Sequence, residues 1–264
     1  LCTPRQKIEG FNTAHLNYGT ADAQTATVSF WVKASVTGTY PVAFTNNDFT
    51  RSFVTTYTIS SANTWEYKTV IVAGDTSGTW NVDNLTGINV MFSLDTGTDK
   101  QITADSWHTG NYRGTSSCVH FLANASATWQ ITGLQVEVGT EATPFENRMY
   151  SQELAMCQRY YQRFQGGAPF ASGIVGCYNS ATEIRALHNH IVPFRATPTF
   201  SYSALSHFDL EPFDAQPTAI SANASANLYQ ADVLANDPTS RVRGYAATIT
   251  CDNSAGYFDF SAEL

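Results

Sequence analysis

His188, Asn189 and His190 hold the closest pair of imidazoles in the chain. In a strand, residues i and i+2 share a face, so both rings could reach one metal ion; the same pattern also reads as surface or hydrogen-bonded histidine. His188 and His190 are therefore the metal candidates, and no metal is assigned. Glycoside hydrolysis needs two carboxylates roughly 5 to 10 Å apart across a groove. Asp209 and Glu211 share a strand face, and a hairpin would bring Asp252 towards Asp259, yet both pairs read equally well as solvated surface carboxylates. The G-x-S-x-G and H-E-x-x-H patterns are absent, as are repeated β-helix rungs, so the chain reads as non-enzymatic.

The other chemistry is aromatic. Trp31, Trp65, Trp80, Trp107 and Trp129 could each stack on the C–H face of a sugar. Trp129 and Phe30 sit in regular strands and are expected in the core. Trp80, Trp107 and Tyr112 lie in loops rich in Gly, Asn and Asp, where binding residues concentrate, and are the candidate carbohydrate contacts. Oxygen ligands around Asn46-Asn47-Asp48 and from Asp95 to Asp99 would suit a structural Ca²⁺, without EF-hand spacing and with solvated turns as the ordinary alternative. No other cofactor is expected.

Composition narrows the partners. Charged residues make up 14% of the 264 residues, against roughly 25% in average soluble domains. A net charge of -8 without any basic run argues against a nucleic-acid groove, which needs clustered Lys and Arg. Apolar runs such as Val70-Ile71-Val72-Ala73 are far short of the ~20 residues of a membrane span. The five cysteines are an odd number without C-x-x-C spacing, which points to reduced thiols, with Cys157, Cys177 and Cys251 expected to be buried. The absence of Met at Leu1 points to a piece of a longer polypeptide.

The elements that must position these residues are mostly strands. Val28, Phe30 and Val32 alternate with Ser29, Trp31 and Lys33, and strands are expected again at 53–59, 65–73, 87–94, 117–122 and 128–138. After residue 167 the segments 170–178, 183–192, 199–202, 208–213, 227–234, 242–251 and 256–260 repeat the pattern between Asn, Asp, Gly and Pro turns. The fold class is all-β with one connecting α-helix: an antiparallel jelly-roll sandwich over 1–148, a connector helix over 149–166 and a second antiparallel sandwich over 167–264. In the connector, Leu154, Cys157, Tyr161 and Phe164 recur at helical spacing, Glu153 suits the positive helix end, and Gly166-Gly167 supplies the stop.

The connector also carries a family resemblance. GTEATPFENR followed by YSQELAMCQRYYQ resembles a segment of bacteriophage and prophage tail proteins. SFWVKAS, TWEYKTVIVAGDTSGTWN, Trp107 to Tyr112 and WQITGLQVEVG resemble the carbohydrate-binding-module-like jelly rolls of such proteins. IVPFRATPTFSYS and GYFDFSAEL resemble their distal β domain. This implies a virion tail fibre that attaches to a host cell-surface glycan and works beside other tail or capsid proteins. It also implies a homotrimer, with Leu154, Cys157, Tyr160, Tyr161 and Phe164 near the threefold axis and a ring of His-x-His pairs as the possible metal site. A capsid fibre or tail adapter that binds no receptor, and a polysaccharide depolymerase module, are the alternatives.

Overall fold

The computed structural model describes residues 2–166, 172–223 and 226–264. The chain forms two compact units, Leu1–Asn147 and Arg148–Glu263. The first contains β1 (Arg5–Glu9), a short helical turn α1 (Gly10–Thr13), β2 (Ala26–Ala34), β3 (Gly38–Thr45), β4 (Arg51–Ile59), β5 (Glu66–Val72), β6 (Thr86–Phe92), β7 (Trp107–Thr109) and β8 (Trp129–Val138). A five-stranded sheet ordered β1-β6-β3-β4-β7 faces a three-stranded sheet ordered β5-β2-β8. Every pairing between these strands is antiparallel, and β2 and β3, though consecutive, lie in different sheets, as in jelly-roll sandwiches.

The core follows from alternation. Val28, Phe30 and Val32 point inward from β2 and meet Tyr40, Val42 and Phe44 of β3 and Ile88, Val90 and Phe92 of β6. Phe30 sits edge-on to Tyr57 and to Phe92, each at 5.1 Å. Trp129 flanks this cluster and donates its indole N–H to the Tyr57 hydroxyl at 3.1 Å, so its placement follows the expectation for a strand tryptophan. The outer side of the five-stranded sheet is covered as well: Ala43, Val54 and Met91 pack beneath Ile102 and Tyr112. Segment 117–122, expected as a strand, instead forms turns leading into a 3-10 turn at Phe121–Ala123, whose Phe121 side chain is buried in the core.

The second unit begins with α2 (Tyr150–Gln158) and continues through β9 (Tyr161–Gln165), β10 (Ser172–Tyr178), β11 (Glu183–Asn189), β12 (Thr199–Tyr202), β13 (Phe208–Glu211), β14 (Ala219–Ala222), β15 (Gln230–Asn236), β16 (Ala246–Cys251) and β17 (Tyr257–Ser261). Its sheets run β13-β16-β10-β11-β15-β14 and β12-β17-β9. Part of the expected 170–178 strand lies outside the described residues, as does Gly167 of the expected helix stop.

The connector departs from its expected form. The helix ends at Gln158, and Tyr161 to Gln165 join a sheet, paired with β17. The apparent helical spacing of Tyr161 and Phe164 is overridden by cross-strand partners. Gln162 is buried, with its amide donating to Gln158 O and Val192 O and accepting from Ile191 N, and Arg163 grips Asp259 with two bonds of 2.7 Å. No α2 residue is buried, so the expected core-facing stripe does not form within this chain. Cys157 and Cys177 are exposed rather than buried, the first on that open helix and the second on the outward side of β10. Cys251 alone of the three is buried.

Candidate functional site

The outer face of the β5-β2-β8 sheet presents aromatic side chains to solvent. Register pairs Trp31 with Tyr67 across β2 and β5, and their rings lie 5.4 Å apart at 52°. Each is 45% exposed, although Phe30, the neighbour of Trp31, is wholly buried. One step along the same face, Lys33 Nζ sits 5.3 Å from the centre of the Trp65 ring, a cation–π contact. A bulge shapes this surface: pairing shifts between Ser29 and Trp31, and Gly133 opposite takes φ +59. A Cβ there would stand 3.6 Å from Trp31 and 3.9 Å from Phe145, so the glycine leaves bare backbone between two aromatic rings.

Phe145 arrives by a strap. Gly139, at φ +114, turns the chain, and residues 140–147 run back along β8. Gly139 O accepts from Thr27 Oγ1 at 2.8 Å. Thr143 donates its N–H and its hydroxyl to the two Glu137 carboxylate oxygens at 2.9 and 2.6 Å, and Glu146 N donates to Gln135 Oε1 at 2.9 Å. The Thr143 hydroxyl is the main reason the Glu137 carboxyl is held below its ordinary range. The strap bonds to Thr27 and runs beside the outward face on which Thr27 and Ser29 lie buried. The ATPFE string thus fastens the chain to its own sandwich and adds Phe145, half-exposed, to the aromatic face.

Of the carbohydrate contacts expected from sequence, Trp80 and Trp107 come together 5.3 Å apart, edge-on, with Tyr18 completing the cluster. Both indole N–H groups are spent internally, Trp80 on Ser77 O at 3.0 Å and Trp107 on Ala73 O at 2.6 Å. Arg51 and Asp75 form a bidentate ion pair that anchors the same loop. Tyr112 does not join them and packs beside His108 and Met91. Tyr67 went unrecognised in the sequence; its signal was the i, i+2 spacing from Trp65 in a strand. Trp31 faces outward from β2 and Trp65 stands just before β5, positions that a bias towards Gly-, Asn- and Asp-rich loops does not mark.

The remaining candidates are placed as follows. His188 and His190 share a face, as alternation predicts, but it is the inner one: His188 stacks on Phe260 at 4.9 Å and meets Phe164 edge-on at 4.1 Å, and His190 meets Phe194 at 4.7 Å. Burial pushes the His188 pKa down to about 4, with His190 adding to the effect. Among the described residues no three His, Cys, Asp or Glu side chains converge as a metal would require. Asn46 is buried and used up, accepting from Thr50 N and Arg51 N and donating to Thr50 Oγ1 and Thr79 O. Asp95 meets His120 at 3.2 Å.

Asp259 is held in an ion pair by Arg163. Asp209 has its pKa raised to about 6, chiefly by burial and then by the neighbouring Asp252 carboxyl. Of the interface residues implied by resemblance, Leu154 and Cys157 are exposed on α2, Tyr161 is exposed on β9 and Tyr160 is half-buried. Phe164 turns into the core of its own unit.

No family model and no curated protein matches the chain. Among solved structures, discoidin II of Dictyostelium discoideum is 8% identical over 92% of this chain and 75% of that one, with a TM-score of 0.19, a value at which the superposition supports no inference. The all-β, two-sheet architecture of each unit therefore rests on the strand pairing. Among the described residues no helix is long and apolar enough to cross a membrane.

Proposed function

We propose that this chain is a non-enzymatic attachment part of a phage tail fibre that holds a host-surface glycan on the outer face of its β5-β2-β8 sheet. The observation that carries this reading is the solvent-facing set of Trp31, Tyr67 and Phe145 on a rigid sheet. Exposed aromatic planes flanked by Gln130, Thr132 and Thr69 offer a sugar both an apolar floor and hydrogen-bonding edges. The virion setting comes from the resemblance of GTEATPFENR and ELAMCQRYYQ to tail proteins, as does assembly as a homotrimer beside other tail or capsid proteins. The exposed Leu154 and Cys157 of α2 are consistent with that assembly, in which shallow sites gain strength by avidity.

A glycan array and a host-cell pull-down with the wild-type chain and the Trp31→Ala and Tyr67→Ala variants test the reading. Wild-type binding reduced about tenfold or more by either variant supports it, in line with the loss of one stacked ring. No binding to any susceptible cell, or binding that both variants retain in full, overturns it. Shortened chains after incubation with host polysaccharide would overturn the non-enzymatic part, and microscopy of labelled particles decides tail from capsid.

A further inference from the structure

In the first unit Arg51, Lys68 and Lys100 are each ion-paired, with Asp75, Glu66 and Asp99. Arg5, Lys7 and Arg113 have no carboxylate in ion-pairing reach among the described residues, although the chain holds 22 Asp and Glu against 14 Lys and Arg. The fold gathers these three. Arg5 and Lys7 stand two residues apart on one face of β1, where register sets Arg5 beside Met91 and Lys7 beside Asn89 of β6. Phe49 packs on the Ala43, Val54 and Met91 cluster of the same sheet side, and the guanidinium carbons of Arg5 and Arg113 lie 5.7 and 5.2 Å from its ring centre. Lys7 lies at the foot of the turn that carries Phe49, since the Asn89 amide donates to Asn46 O at 3.0 Å. Asn46 shapes that turn: its carbonyl accepts from Phe49 N at 3.3 Å and its Oδ1 from Thr50 N at 2.9 Å. Phe49 is thereby held at φ +56, a left-handed conformation that is costly for an aromatic residue. Asp48, its neighbour, accepts from the Asn47 amide at 2.6 Å.

We propose that Arg5 and Arg113, with Lys7 adding charge beside them, form a binding site for a phosphate dianion, free or carried as a monoester, next to the Phe49 ring. Cations grouped without an acid favour a ligand of more than one negative charge, hence phosphate over a singly charged carboxylate. A guanidinium fork matches two phosphate oxygens, and a lysine supplies a point charge to the same group. The site is open to solvent, with Arg5 exposed and Lys7 and Arg113 half-buried. Arg113 Nε donates to Asn111 Oδ1 at 3.0 Å, which fixes one side of the fork and leaves its terminal nitrogens for the ligand. Contact with Phe49 restrains both guanidinium groups and so reduces the freedom lost on binding. Burial, and then the charge of Arg5, hold the Arg113 guanidinium below its ordinary range, a repulsion that a bound dianion relieves. The site belongs to the five-stranded sheet and draws on no residue of the aromatic face on β5-β2-β8.

Inorganic phosphate, glycerol 3-phosphate and acetate, titrated separately into the full chain at about pH 8 and fixed ionic strength, are the probes, read by calorimetry with the arginine Nε–H signals followed by NMR. Phosphate is expected to bind about tenfold more tightly than acetate and to move the Arg5 and Arg113 signals. Arg5→Gln and Arg113→Gln should each weaken phosphate about tenfold, with thermal melts showing that both variants stay folded. Arg243→Gln, which removes an exposed cation of the second unit, should leave phosphate binding unchanged. Glycerol 3-phosphate bound as tightly as the ion assigns the site to a phosphate carried by a larger molecule, and its exclusion assigns it to the free ion. Phosphate bound no better than acetate, phosphate binding that survives both Arg5→Gln and Arg113→Gln, or an equal loss in Arg243→Gln would overturn the assignment.

Discussion

The two small sheets, β5-β2-β8 and β12-β17-β9, use the same alternation to opposite ends. In β2, Phe30 points into its core and Trp31 points out to solvent beside Tyr67. In β17, Phe258 and Phe260 point inward, while the outward Asp259 is held by Arg163, whose guanidinium also lies 4.0 Å from the Tyr257 ring. The small sheet of the first sandwich thus leaves aromatic surface open, whereas that of the second sets an ion pair on its outer face and has behind it two imidazoles, His188 and His190, with unpartnered nitrogens. Each arrangement is costly for folding alone: exposed aromatics forgo burial, and unpartnered imidazoles forgo hydrogen bonds. Where a sandwich tolerates such a cost, the location of the cost marks the surface to test for binding.

The contrast breaks most visibly at neighbouring residues of β2. Phe30→Ala should destabilise the first unit by about 3–5 kcal/mol, because it empties a buried aromatic position. Trp31→Ala should change stability by less than about 1 kcal/mol, because its ring is nearly half in water, while carrying the binding loss described above. Denaturant melts of both variants, read alongside the glycan array, check the pair. A Trp31→Ala variant as unstable as Phe30→Ala would make Trp31 a core residue.

Acid should separate the two units next. His188 has an ordinary pKa near 6.5 when unfolded and about 4 when folded, so the unfolded chain takes up the proton first. Stability of the second unit is therefore full above pH 6.5 and falls as pH drops towards 4, by about 3 kcal/mol in order of magnitude. Burial lowers His190 in the same direction. His188→Phe should remove most of this slope in a pH series of thermal melts. Asp209 acts with the opposite sign: its raised pKa, about 6, gives a contribution present at low pH and lost as pH rises through 6. Asp209→Asn should accordingly stabilise the second unit at pH 7 to 8 and have little effect at pH 4. The first unit has a carboxylate of the usual kind in Glu137, whose lowered pKa gives stability that persists until pH falls into the acid range below its unfolded value.

Legibility in the sequence followed the range of the interactions. Strands with a clear apolar phase, such as β2, β8 and β12, were readable, because alternation is local and the core enforces it. β1 was not, since RQKIE carries little apolar signal and becomes a strand through pairing with β6. The helix expected from sequence runs past its true end because Tyr161 and Phe164 mimic helical spacing, while the bonds that claim β9, from Gln162 to Val192 and from Arg163 to Asp259, span distant sequence. The aromatic face needed the Trp31–Tyr67 register and the bulge at Gly133, and both depend on which strands become neighbours. The same holds for the cation cluster, in which β1 and the loop carrying Arg113 meet at Phe49.

The smallest expected effect tests whether the strap belongs to the aromatic face or merely lies beside it. Thr143→Val removes the hydroxyl that bonds Glu137 and Gln135 at 2.6 and 3.2 Å and keeps the branched shape. These bonds are solvent-exposed, so the loss in stability should be only about 0.5 kcal/mol, at the low end for a hydrogen bond. The Glu137 pKa should rise towards its ordinary value in the variant, since the Thr143 hydroxyl is the largest cause of its depression. If Phe145 serves the ligand surface, loosening the strap costs glycan affinity a few-fold without altering the Trp31 and Tyr67 positions, because a contact held by a freed segment must first be ordered. If the strap is only a fastening, the Glu137 titration measured by NMR shifts and binding does not, and the face reduces to the Trp31–Tyr67 pair with Trp65 beside it.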